Sequence, residues 1–188
     1  MNTLFISTYS NLLTIGLLLN GKILDIKENI SEKSHSTHLI PLLETILNDN
    51  KLDIKDINEI IVVNGPGSFT GVRLGITVAK TLSYTLNIPI KTITSIEALG
   101  ISCDEKIITV DDNKGKYVGG FENNNLKGEI EYLSSNEFNI KYKDYSPKDI
   151  KLDLEKIYDY VKGNESLNPH EVKPIYIKTI EVEKWLVN

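Results

Sequence analysis

Cys103 is the only cysteine in 188 residues. A lone thiol excludes an internal disulfide framework and a cysteine zinc site, and it fits a reducing compartment. Long apolar runs are missing too. The longest, Leu12 to Leu19, contains Thr14 and Gly16 and is far too short to span a bilayer. No basic segment precedes an apolar one near Met1, so no signal peptide is expected and a cytoplasmic location is. Nor is there an excess of positive charge: 21 Lys plus Arg stand against 26 Asp plus Glu, a net charge of −5. The imbalance lies in the second half, where residues 95–188 carry 13 basic and 18 acidic side chains. Autonomous nucleic-acid binding needs a basic stripe to neutralise phosphates, and none is visible. Contact with RNA is therefore expected mainly through a partner. Arginine is nearly absent as well: Arg73 is the only one.

The remainder is ordinary for a soluble globular protein, with 40% hydrophobic and 25% charged residues in a length that suits one domain or two small lobes. Leu4-Phe5-Ile6, Leu12 to Leu19 and Ile23 to Ile26 read as three strands. Asn20-Gly21, a dipeptide tolerant of positive φ, joins the last two. Ser34-His35-Ser36 can cap a helix in which Leu39, Leu42, Leu43, Ile46 and Leu47 keep helical spacing, with Pro41 starting or bending its regular part. Ile60 to Val63 is a buried strand, followed by a glycine turn and a helix from about Thr70 to Leu86. Thr70 as N-cap would place Phe69 and Leu74 at hydrophobic-staple positions. Lys91 to Thr94 is a short strand, and Ser95 to Leu99 begins a small helix.

The pattern then restarts. Ile107 to Val110, Tyr117 to Phe121 and Ile130 to Leu133 read as strands, and Ser134 with Glu137 as a capping box. Ser146-Pro147 is expected to open a helix with Ile150, Leu154, Ile157, Tyr158 and Val161 on one face, ended by Gly163. Lys173 to Lys178 has the look of a final strand. Three strands then a helix, met twice, predicts two related α/β lobes, 1–103 and 104–188, the second smaller.

The glycine turn carries the most specific signal: Asn64-Gly65-Pro66-Gly67-Ser68-Phe69-Thr70-Gly71-Val72-Arg73. A nucleotide P-loop places Lys-Ser/Thr directly after its second glycine, whereas Val72-Arg73 follows Gly71, so the standard P-loop is excluded. A helix N-terminus still favours an anion, and Arg73 could assist. On the helix that follows, apolar and small side chains cover roughly 200°, against the ~100° stripe a surface helix needs. Leu74, Val78 and Leu82 are assigned to the protein's own sheet. Val72, Gly75, Ile76, Ala79 and Ser83, with Gly71, form a second flank whose small residues admit a close neighbour. Two occupants fit that groove: the preceding helix, or a second protein. His35 and His38, three apart on a helix, lack a zinc-protease pattern and are read as capping-region polar residues rather than metal ligands.

Three segments, Ser34-His35-Ser36 with Leu39-Ile40-Pro41-Leu42, Asn64 to Gly75 with Ala79-Lys80, and Ser95-Ile96-Glu97-Ala98-Leu99, resemble the TsaB (YeaZ) family in order over residues 1 to about 100. The likeness weakens afterwards, where Asp111 and Tyr117 fit, and returns at Lys173 to Lys178. The resemblance implies the actin- and hexokinase-like ATPase fold, with two ribonuclease-H-like lobes and the second reduced. It also implies a role in making threonylcarbamoyl-adenosine beside the anticodon of tRNAs that read codons starting with A. In that system TsaD is the catalytic paralogue that binds metal and nucleotide. TsaB is its non-catalytic partner, paired through the first two helices of each. TsaE joins the bacterial complex, and TsaB alone can form homodimers through the same surface.

The departures concern catalysis. Family first strands end in an acid followed by Thr-Ser; here stands Ser7-Thr8-Tyr9, which removes a natural ligand for a hard cation. The histidines lie three apart rather than four as in the catalytic paralogue, and no glycine-rich adenosine loop is present. No nucleophile–base pair or zinc set is apparent. The sequence thus predicts no catalytic residue, metal or cofactor. The expected partner face is His35, Ser36, Leu39, Leu42, Leu43, Gly71, Val72, Gly75, Ile76, Ala79 and Ser83. Gly65, Pro66, Gly67, Ser68, Phe69, Thr70 and Arg73 form the turn, with Arg73 anchoring it or bridging to the partner. An enzyme using Asp111 or Asp112 in the inter-lobe cleft is the competing expectation.

Overall fold

Strands that are apolar on both faces must be covered on both, and that requirement organises the first half of the chain. The computed structural model describes residues 1–30, 35–146 and 148–177. In it β1 (Asn2–Ser7), β2 (Leu12–Leu19) and β3 (Lys22–Ile30) form an antiparallel meander. Asn20 (φ 51°) and Gly21 (φ 79°) make the β2–β3 turn, as the Asn-Gly pair predicts. α1 (His35–Asp49) follows. β4 (Glu59–Val63) pairs in parallel with β1, α2 (Phe69–Leu86) crosses over, and β5 (Ile90–Ile93) pairs with β4. The sheet order is β3-β2-β1-β4-β5. Period-two alternation sends Leu4, Ile6, Ile60 and Val62 into the core under α1 and α2, and Phe5, Ile61 and Val63 into the core on the opposite face.

α3 (Ser95–Ser102) wedges between this sheet and the next one. Its Ala98 and Ile101 belong to the second core, its Ile96 and Leu99 to a third. That third core lies under β6 (Ile107–Asp112), β7 (Gly115–Glu122) and β8 (Asn125–Ser134), an antiparallel sheet closed by α4 (Ser135–Lys141). Ser134 and Glu137 form the expected capping box. Among the described residues the second sheet repeats the three-strand meander and helix without counterparts of β4 and β5.

α5 (Leu154–Val161) comes after the second sheet in sequence, yet Leu154, Ile157 and Val161 are buried in the second core, on the first sheet. The helix expected from Ser146 begins only at Leu154, where the Asp153 carboxylate accepts from Lys156 N at 3.1 Å. The reason is tertiary: the chain must recross from one lobe to the other here. Ile150 and Leu152 pack against the third core instead of joining a helical face. Pro147, the cap expected at Ser34, and Lys178 lie outside the described residues.

The expected final strand is also absent among the described residues. Residues 167–177 instead form an irregular strap beside α2. Leu167 N donates to Ile90 O at 2.9 Å, Val172 is buried in the first core, and Ile175 N donates to Asn64 O at 2.9 Å. Proline at 169 and 174 suits such a path, because each lacks the donor a ladder needs. At the far end of the sheet a buried pair, Lys91 and Glu59 (3.3 Å), is completed by Lys91 Nζ donating to Lys162 O at 2.9 Å, which pins the end of α5.

Candidate functional site

The glycine turn is built from close backbone approaches. Ser68 N donates to Tyr9 O at 2.7 Å, and Gly67 (φ 153°) lies so near that carbonyl that a Cβ would collide with it. Ser68, not Thr70, is the N-cap of α2, its Oγ accepting from Gly71 N at 3.2 Å. Phe69 is consequently the first helical residue. It is 57% exposed and makes no staple with Leu74; its ring lies instead under the Arg73 guanidinium, 3.9 Å from Cζ to centroid.

The phase of α2 is the reverse of the expectation. Gly71, Val72, Gly75, Ile76, Ala79 and Ser83 are its buried residues and face the protein's own sheet. The groove made by Gly71 and Gly75 is filled by Thr8, at the end of β1. Thr8 Oγ1 donates to Gly71 O at 2.7 Å, and a Cβ on either glycine would strike Thr8. A 200° arc leaves the phase open; the backbone contact with Thr8 chose it, because only glycine admits that approach. Leu74, Val78 and Leu82 are the half-buried shoulder beside the first core, joined there by Leu42 of α1. On α1, Leu39 and Leu43 are core residues, Ser36 is exposed, and His35 is tied by Nε2 to Ser10 O at 2.6 Å.

Between the leucine shoulder and the strap runs a crest that the sequence reading missed. Thr77, Thr81 and Thr85 are exposed, and each hydroxyl donates back along the helix, to Arg73 O (2.8 Å), Thr77 O (2.9 Å) and Thr81 O (2.7 Å). Threonine every fourth residue was the available signal. With hydroxyls satisfied internally, burying this crest leaves no new donor unpaired.

On the far shoulder, Arg73 Nε donates to Tyr176 Oη at 2.7 Å, Lys80 Nζ donates to Val172 O at 3.1 Å, and the Tyr84 ring meets His170 at 5.1 Å. Arg73 thus anchors the turn to the strap.

A cleft of about 990 Å³ separates the lobes, with Tyr9, His35 and Ser68 on one wall and Asp111, Asp112 and Lys148 on the other. Asp111 is ion-paired to Lys116, and Asp112 accepts from Tyr132 Oη at 3.1 Å. Tyr9 packs against all three cores, and burial pushes its phenol up to about 12. It therefore remains neutral at the point where the lobes meet. Ser7, at the end of β1, is 1% exposed.

A five-stranded sheet in 3-2-1-4-5 order, helices on both faces, and a second meander across a cleft define an α/β protein of the actin- and hexokinase-like ATPase fold, with its second lobe reduced. Similar proteins narrow the class. The family described as TsaD, tRNA N6-adenosine threonylcarbamoyltransferase, matches residues 26–111. The tRNA threonylcarbamoyladenosine biosynthesis protein TsaB of Bacillus subtilis is 39% identical over 99 residues, 53% of this chain and 43% of that protein. YeaZ from Pseudomonas aeruginosa superposes with a TM-score of 0.76 at 18% identity, covering 93% of this chain and 99% of that one. A second structure, an uncharacterized protein with similarity to peptidase YeaZ from the same organism, gives 0.80 at 17% identity, with 94% and 99% covered. In fold, and in sequence over about half of its length, the chain is similar to TsaB and YeaZ proteins. Its sequence match spans less than half the length of the Bacillus relative. Among the described residues, no helix is long and apolar enough to cross a membrane.

Proposed function

We propose that this chain is a non-catalytic subunit that binds a TsaD-type partner and supports threonylcarbamoyl transfer to the adenosine beside the anticodon of tRNAs reading A-starting codons. The observation that carries the reading is the outward face of α2. The half-buried shoulder Leu74–Val78–Leu82, with Leu42, adjoins a threonine crest whose hydroxyls need no partner. Such a face can be desolvated cheaply, and a stable interface would bury about 800 Å² per partner. The docking set drawn from sequence is thereby revised: Gly71, Val72, Gly75, Ile76, Ala79 and Ser83 act as the scaffold beneath, Ser36 and Leu42 remain with the outer face, and His35 belongs to the inter-lobe cleft. TsaE joins the complex, tRNA is reached through it, and a homodimer forms through the same face when the partner is missing. No cofactor or membrane is needed for this role.

The test is complex mass by light scattering with TsaD from the same organism. Wild type gives a complex; Val78→Asp, which charges the shoulder, abolishes it while circular dichroism stays unchanged. Wild type that elutes alone defeats the proposal.

The inter-lobe cleft, with Asp111 and Asp112 on its wall, favours a second reading: a weak ATP- and metal-dependent enzyme. Both carboxylates already have partners, which weighs against it. Calorimetry with Mg-ATP decides: heat at millimolar nucleotide supports the enzyme, and none removes it.

A further inference from the structure

Arg73 does more than the strap requires of it. The strap is already held by Ile175 N to Asn64 O (2.9 Å), by buried Val172, and by Lys80 Nζ to Val172 O (3.1 Å). A tyrosine hydroxyl needs one donor, and any lysine or glutamine supplies one. What the arrangement achieves is a fixed guanidinium. The Phe69 ring lies 3.9 Å from Cζ, the Tyr176 ring 5.6 Å, and Nε is bound to Tyr176 Oη at 2.7 Å. Nε points inward to the strap, and among the described residues no carboxylate pairs with the remaining Nη groups. Four exposed lysines, Lys22, Lys141, Lys148 and Lys162, by contrast each pair with an acid.

Charge isolates Arg73 further. Arg73 and Lys80 are the only charged residues of α2, while the whole chain carries −5. Arg73 O also receives the first hydroxyl of the threonine crest, so the cation stands at the edge of the face proposed above for docking. An arginine fork stacked on the Phe69 ring and bonded to Tyr176, both rings 57% exposed, has the composition of an interface hot spot, and its ordering entropy is lost before binding.

We propose that Arg73 is the charged anchor of the α2 docking face and receives a carboxylate from the partner protein through its two Nη groups. This rests on the docking reading above and names the chemistry the partner must present: an acidic side chain at the edge of an apolar surface.

Affinity for TsaD, measured by biolayer interferometry from 50 to 500 mM salt, tests it. Arg73→Gln weakens binding at least tenfold at low salt, and the gap to wild type narrows as salt rises. Arg73→Lys, which keeps charge but loses the fork, falls between. Tyr176→Phe, which removes the arginine's hydrogen bond to the strap but keeps the cation, stays within threefold, and thermal melting shows all three folded. Arg73→Gln within twofold of wild type overturns the assignment. Equal losses in Arg73→Gln and Tyr176→Phe also overturn it, since arginine would then act only through the strap. Unchanged protein binding with lost tRNA binding by the complex would make the ligand a phosphate and reject the carboxylate. Absence of wild-type binding removes the docking reading and this inference together, which separates the two failures.

Discussion

Thr8 Oγ1 donates to the Gly71 carbonyl at 2.7 Å, so the end of β1 enters the glycine groove at the start of α2. The Thr8 carbonyl lies against Gly71 and its hydroxyl against Gly75, approaches that a Cβ on either glycine would block.

Gly75→Val therefore overpacks the protein's own core. The Cβ would strike Thr8 Oγ1, and the expected cost is about 1–3 kcal/mol in chemical denaturation. Partner binding by the molecules that remain folded should be unchanged. A variant of wild-type stability that loses its partner would return the groove to the interface.

The crest separates methyl from hydroxyl. Thr81→Val keeps the shape and removes a hydroxyl already bonded to Thr77 O at 2.9 Å; TsaD affinity should stay within about twofold of wild type. Thr81→Ser keeps the hydroxyl, loses the methyl, and should weaken binding by about threefold to tenfold. The opposite order, read in the same titration, would mean that the hydroxyl serves the partner.

Tyr9 links stability to alkaline pH. Its folded phenol sits at about 12 because burial penalises the phenolate, while the unfolded phenol titrates near 10. The folded state holds its proton more tightly, so this contribution is intact below about pH 10 and declines as pH rises toward 12, by about 1.4 kcal/mol per unit. In urea melts the difference between wild type and Tyr9→Phe should be flat to about pH 10 and fall above it. A difference that stays flat to pH 12 would refute the assignment.

Lys91 and Glu59 form a buried pair, with Lys91 9% and Glu59 3% exposed. Lys91→Met strands the Glu59 charge and releases the Lys162 carbonyl, costing about 3–5 kcal/mol. The double variant with Glu59→Gln should recover part of that loss. Urea midpoints of the single and double variants provide the check.

The sequence by itself determined the elements whose signals are local. Asn20-Gly21 imposed the hairpin because both residues must take positive φ, Ser134 and Glu137 closed their own capping box, and an unbroken apolar run marked Ile60 to Val63 as a buried strand. Only the tertiary structure decided which side of α2 turns inward, since a wide apolar arc has no preferred phase until Thr8 occupies the Gly71–Gly75 groove. It likewise moved the start of the last helix from Ser146 to Leu154, where a recrossing chain seats Ile150 and Leu152 in the third core. Long-range packing supplied the partner of Arg73 as well, because Tyr176 lies 103 positions away in sequence and only the strap brings it alongside.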